Sequence, residues 1–157
     1  MVRQRIHLAD AASTLSWGRG LAPHVRPGDL IVLTGDLGAG KTTLTRGLGE
    51  GLGVRGAVTS PTFVIARLHP AGDQGVALLH VDAYRLGTAS EIDDLDLDLA
   101  GVVTVVEWGA GRVEHLADSH LEIALVVDGD GREATLTGHG SRWNDASLAA
   151  LVSPGAL

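Results

Sequence analysis

The chain has 157 residues, 45% hydrophobic but only 3% aromatic, which fits a single domain over residues 1–157 with a core packed by Val, Leu, Ala and Ile. The sequence contains no cysteine, which excludes disulfides, thiol catalysis and Cys-based zinc sites, and no apolar run long enough for a membrane-spanning helix or, at the N-terminus, a signal peptide. With no cysteine, membrane span or signal peptide, a cytoplasmic location is the simplest reading, and the net charge of −7 argues against broad, non-specific nucleic-acid binding while leaving open a role in a complex that acts on RNA.

In chain order, residues 8–22 place Leu8, Ala11 or Ala12, Leu15 and Leu21 at helical spacing, with Asp10 or Ser13 as cap. The turn Arg26-Pro27-Gly28-Asp29 leads into Leu30 to Leu33, a short apolar run of the kind a buried parallel strand shows. A glycine-rich loop, Gly35 to Gly40, follows. Residues 41–52 then read as a helix with Leu44, Leu48 and Leu52 on one face. Gly47, Gly49 and Gly51 weaken that helix, each by up to about 1 kcal/mol relative to Ala.

Further on, Phe63 to Leu68 and Val76 to Val81 read as an antiparallel pair around the turn cluster Pro70 to Asp73. An acidic stretch, ASEIDDLDLDLA, reads as a solvated helix face or loop, with a partner surface as the competing reading. Ala100 to Val106 is a second buried strand, ending at Glu107-Trp108-Gly109. Leu121 to Val127 and Glu133 to Gly138 form a hairpin around Asp128-Gly129-Asp130-Gly131, and Asn144 to Val152 is a short helix. Apolar strands alternating with helices predict an α/β fold, with a mixed, largely parallel central sheet flanked by helices and antiparallel additions.

The chemistry is concentrated in Gly35-Asp36-Leu37-Gly38-Ala39-Gly40-Lys41-Thr42, which matches the P-loop pattern G-x-x-x-x-G-K-[ST]. Glycines allow successive backbone N–H groups to turn inward onto phosphate oxygens, and the following helix aims its positive end at the same anion. Lys41 supplies a compact ammonium for the β and γ phosphates. The Thr42 hydroxyl is small enough to ligate Mg²⁺, and Thr43 is adjacent to the α phosphate. The context is the required one, a strand entering and a helix leaving. Lys41 is also the one lysine beside eleven arginines, which points to a task arginine cannot perform.

Two acids stand at the ends of apolar strands, where α/β sheets collect their ligands. Asp82 follows Val76 to Val81, and its competing reading is a cap on a strand-end turn. Glu107 follows Val102 to Val106, and its competing reading is a solvated strand end. Thr59-Ser60-Pro61-Thr62-Phe63 is either a γ-phosphate-sensing loop or an ordinary Ser-Pro turn. His80 lies within a strand and reads as structural, and the seven histidines show no metal-binding spacing.

Taken together, GDLGAGKTTLTRGLGEGLG, TSPTF, HVDAYRL, ASEIDDLDLD, VVEWG and DGREATL occur in an order that resembles the TsaE (YjeE) family, the ATPases of bacterial threonylcarbamoyladenosine tRNA modification. The resemblance runs from about residue 8 to 140. It implies ATP at Gly38 to Thr43, Mg²⁺ on Thr42 and Glu107, and Asp82 as the acid near the metal's water shell. It places Trp108 beside the site, with Arg132 and the backbone around Ala11 near the nucleotide. It also implies TsaD-like and TsaB-like partners, an indirect link to tRNA, and ATP hydrolysis that permits repeated turnover. Ala83 stands where Leu is commoner and Asp93-Asp94 where Glu is usual, both bearing on partner contacts.

The expected activity is slow ATP hydrolysis alone and faster hydrolysis with partners. Lys41 binds, Asp82 or Glu107 orients the water, and Arg85 or a partner supplies any arginine finger. Three competing readings are a small-molecule kinase, a GTPase-like switch and a nucleotide-sensing module that does not hydrolyse. The kinase needs an acceptor pocket with an Arg lid, for which Arg112 is a poor candidate. The switch needs a second lysine for guanine, which the chain lacks.

Overall fold

The computed structural model describes residues 1–36, 38–56, 66–82, 99–107 and 114–152. Its strands form one sheet in the order β1-β7-β6-β2-β5-β4-β3. They are β1 Val2–Leu8, β2 Leu30–Thr34, β3 Ala66–His69, β4 Ala77–Asp82, β5 Val102–Glu107, β6 His120–Asp128 and β7 Gly131–His139. The helices are α1 Ala11–Leu21, α2 Lys41–Leu52 and α3 Asp145–Val152. The central run β6-β2-β5-β4 is parallel, while β1-β7-β6 and β4-β3 are antiparallel additions. This is the mixed α/β sheet expected from the sequence.

Strand β2 is buried on both faces, which is why its sequence is an unbroken apolar run. Ile31 and Leu33 point into the larger core, with Leu78, Val103, Val105 and Ile123 from neighbouring strands and Leu44 and Leu48 from α2. Leu30 and Val32 point the other way, against Leu79, Val81 and Val106. Asp10 caps α1, its carboxylate accepting from the Ser13 backbone N–H at 2.8 Å. Leu8 does not belong to that helix. It ends β1, a strand the helical spacing of residues 8–22 concealed. Arg142 closes the far end of the sheet, donating to both oxygens of Asp29 and to the His24 carbonyl.

The helix glycines have a tertiary reason. A Cβ on Gly47 would lie 2.2 Å from the Leu15 carbonyl oxygen, and one on Gly18 would lie 2.5 Å from that of Leu44. One on Gly51 would meet the Arg19 carbonyl oxygen at 2.6 Å. Helices α1 and α2 therefore touch backbone to backbone, and Arg19 clips them outside with an ion pair to Glu50 at 2.7 Å. Gly47→Ala should raise intrinsic helix propensity by about 1 kcal/mol yet destabilise the fold by roughly 1–3 kcal/mol through overpacking. Thermal unfolding followed by circular dichroism reads the sign, and a higher Tm would contradict this contact.

Candidate functional site

The site forms where parallel strands end together. Glu107, the last residue of β5, lies in register with Leu33 of β2 and with Asp82, the last residue of β4. The chain leaving β2 therefore enters its glycine loop beside two carboxylates. A Cβ on Gly35 would lie 2.7 Å from the Leu125 carbonyl oxygen of β6, so the loop starts where no larger residue fits. Gly38 and Gly40 adopt φ of +84° and +106°, the left-handed region glycine favours. The Ala39 N–H donates to the Asp36 carbonyl at 3.0 Å, tightening the loop before α2 begins.

Gly40 precedes α2 without a side-chain cap, and the first-turn amides of a helix lack intrahelical acceptors. Thr42 and Thr43 sit in that turn, half-buried. Lys41 is only 5% exposed. Its Nζ folds back and donates to the Gly35 carbonyl at 2.6 Å and the Asp36 carbonyl at 3.0 Å. Burial lowers the Lys41 pKa from its ordinary value, and the Glu107, Asp36 and Asp82 carboxylates pull it back up, Glu107 most strongly. A polyphosphate arriving here would favour the ammonium further.

Arg132 reaches the same loop from β7. Its Nε donates to the Ala39 carbonyl at 3.0 Å and its Nη2 to the Gly38 carbonyl at 3.1 Å. Leu8, paired with Arg132 across β1 and β7, leads directly to Asp10 and Ala11 at the start of α1. One turn on, the Thr14 methyl lies 3.7 Å from where a Cβ on Gly40 would sit. The structure thus brings Gly35, Asp36, Gly38, Ala39, Gly40, Lys41, Thr42, Thr43, Asp82, Glu107, Arg132 and the Ala11 turn to one end of the sheet. Leu37, Trp108, Arg85, Arg112, the 59–63 loop and the acidic 91–98 run lie outside the described residues.

Glu107 is 6% exposed, which rules out the solvated strand end. Its Oε2 is 2.6 Å from His80 Nε2, a contact the sequence reading missed. The signal was the His-Val-Asp spacing, since residues two apart on a strand share a face. The donor set of Thr42 hydroxyl and Glu107 carboxylate suits Mg²⁺, a hard cation that usually keeps one or two protein ligands and completes its shell with phosphate and water. Among the described residues, no group of three or more His, Asp or Glu could hold a metal by itself. None of the described helices is long and apolar enough to cross a membrane.

Comparison with known proteins agrees with this geometry. A family profile described as "Threonylcarbamoyl adenosine biosynthesis protein TsaE" matches residues 8–134. A relative from Streptomyces coelicolor, named tRNA threonylcarbamoyladenosine biosynthesis protein TsaE, is 58% identical over 143 residues, covering 86% of this chain and 97% of that protein. Proteins of the same name are 46% identical over 78% of the chain in Mycobacterium tuberculosis and 43% identical over 78% in Bacillus subtilis, covering 79% and 77% of those proteins. Among solved structures, Bacillus subtilis YdiB superposes with a TM-score of 0.74 at 28% identity, covering 96% of this chain and 94% of that one. With the strand, glycine loop and helix of a P-loop in place and the profile spanning most of its length, the chain belongs to the TsaE family of threonylcarbamoyl adenosine biosynthesis proteins.

Proposed function

We propose that this protein is an ATP-binding, Mg²⁺-dependent ATPase of tRNA threonylcarbamoyladenosine modification. It acts in the cytoplasm on TsaD-like and TsaB-like partners to allow repeated turnover, and its link to tRNA runs through them. Family membership supports the pathway. The observation that carries the chemistry is Lys41, a buried ammonium folded onto the carbonyls of its own glycine loop beside two strand-end carboxylates. A buried cation held by carbonyls of a loop whose amides can face inward is suited to exchange those contacts for phosphate oxygens.

In this reading the loop amides from Gly38 to Thr43 and the start of α2 receive the phosphates. Lys41 turns from Gly35 and Asp36 to the β and γ oxygens. Thr42 and Glu107 would hold Mg²⁺, which neutralises phosphate charge as it develops. Asp82, in register with Glu107, would hold the metal's water shell or orient the attacking water. Arg132 is committed to the Gly38 and Ala39 carbonyls, so the described residues bring no spare guanidinium to the γ phosphate. Hydrolysis should then be slow in the isolated chain and faster when a partner completes the site.

Three measurements test this. Lys41→Ala should weaken ATP binding at least about 10-fold by calorimetry, since a charge-assisted hydrogen bond contributes roughly 1.5–3 kcal/mol. Unchanged affinity would remove the site assignment. Glu107→Gln should lower turnover about 100-fold, the scale of one lost electrostatic contact in a transition state. It should change ATP affinity in EDTA by less than about threefold if its role is through the metal. Phosphate release should rise when TsaD-like and TsaB-like proteins are added, and equal rates would defeat the stimulation.

A further inference from the structure

Among the described residues, His80 is a buried polar group at this end of the sheet that the proposed mechanism does not use. Its ring is fully buried, and Nε2 lies 2.6 Å from Glu107 Oε2. His80 lies opposite Val105 in the β4–β5 register, so Glu107 is its diagonal neighbour on the same face, within reach of long side chains. Nδ1 is buried without a hydrogen-bond partner. For the ring to hydrogen-bond a carboxylate oxygen, Nε2 is the donor and Oε2 the acceptor. A purely structural side chain would be expected to be apolar here, since an apolar group of similar volume would leave no orphan atom. The ring's one hydrogen bond goes to one oxygen of one acid.

We infer that His80 is the positioning residue for Glu107, donating from Nε2 to Oε2 so that the other carboxylate oxygen is held for the nucleotide's divalent cation, an inference resting on the metal role proposed above for Glu107. Glu has three side-chain torsions, and a strand-end position alone fixes none of them tightly. The alternative partner is close, because the Glu107 charge already acts on the Lys41 ammonium. Without the imidazole donor the carboxylate is drawn toward that ammonium and away from the cation, which weakens the cation site. Outer hydrogen bonds of this kind orient metal ligands, and their loss typically costs 10–100-fold in metal affinity.

The test compares full-length wild type, His80→Leu and His80→Gln by calorimetric ATP titration in EDTA and in saturating Mg²⁺. Gln carries an amide N–H near the position of the imidazole Nε2–H, so it serves as the conservative rescue. The readout is the gain in ATP affinity that Mg²⁺ confers. His80→Leu should lose about 10-fold or more of that gain while its affinity in EDTA moves less than about threefold, and His80→Gln should keep the gain within about threefold of wild type. If His80→Leu does not fold, His80→Asn replaces it, since its amide is too short to reach Oε2. Equal loss in the Leu and Gln variants overturns the positioning role. So does a matching fall in EDTA, which would make His80 merely structural, or a full gain in His80→Leu. If wild type itself gains nothing from Mg²⁺, the metal role of Glu107 fails and this inference with it. That outcome is distinct from a wild-type gain that survives loss of the imidazole.

Discussion

The backbone-to-backbone contact of α1 with α2 is the constraint from which the site follows. Gly18, Gly47 and Gly51 let the two helices approach until carbonyl oxygens occupy the space where side chains would begin. That fixes the axis of α2, and with it the direction in which its first-turn amides point. The other end of the same loop is fixed by β2, buried on both faces between β5 and β6. A glycine loop anchored by a buried strand and a closely packed helix would have less freedom to lose on binding a polyphosphate. The intrinsic cost of glycine in a helix is offset by this preorganisation.

Charge makes the second demand. One ammonium, Lys41, feels three carboxylates, those of Glu107, Asp36 and Asp82. Those carboxylates oppose a bare polyphosphate that Lys41 and the loop amides would attract. A divalent cation held as proposed would offset that opposition, whereas a larger basic patch would bind nucleic acid indiscriminately. The proposed dependence on Mg²⁺ therefore follows from the sign of the local charge as well as from the chemistry of Thr42 and Glu107. In the proposed arrangement, an imidazole N–H at the back of Glu107 orients its carboxylate toward the cation.

Local patterns carried most of the fold in the sequence. The apolar run of β2, the glycine loop and the leucine face of α2 are contiguous, and the β6–β7 hairpin is marked by Asp128-Gly129-Asp130-Gly131. Strand β1 was hidden because Arg3, Arg5 and His7 alternate with half-buried residues, a weak period-two signal beside the helical spacing that follows. Gly47 and Gly51 read as helix weaknesses because the partner that requires them lies on α1. His80 read as structural because its partner lies 27 residues away on the next strand, and only the register brings them diagonally together. The motif residues were legible because their chemistry is sequential, whereas the residues that hold them in place act across strands and helices.

Arg132 shows what that distinction means for the loop. By donating to the Gly38 and Ala39 carbonyls, it holds those oxygens toward β7. A peptide unit is planar, so a carbonyl turned one way turns the following amide the other way. The guanidinium therefore biases the Ala39 and Gly40 peptide planes from outside the cradle, before any ligand is bound. It is itself placed by the β1–β7 pairing of Leu8 with Arg132, and β1 runs directly into the Asp10 cap of α1. The antiparallel edge of the sheet, the α1 cap and the phosphate loop are thus mechanically one unit. A partner that shifts the β6–β7 hairpin would change the loop without touching the nucleotide, which gives the proposed stimulation by partners a route through the backbone.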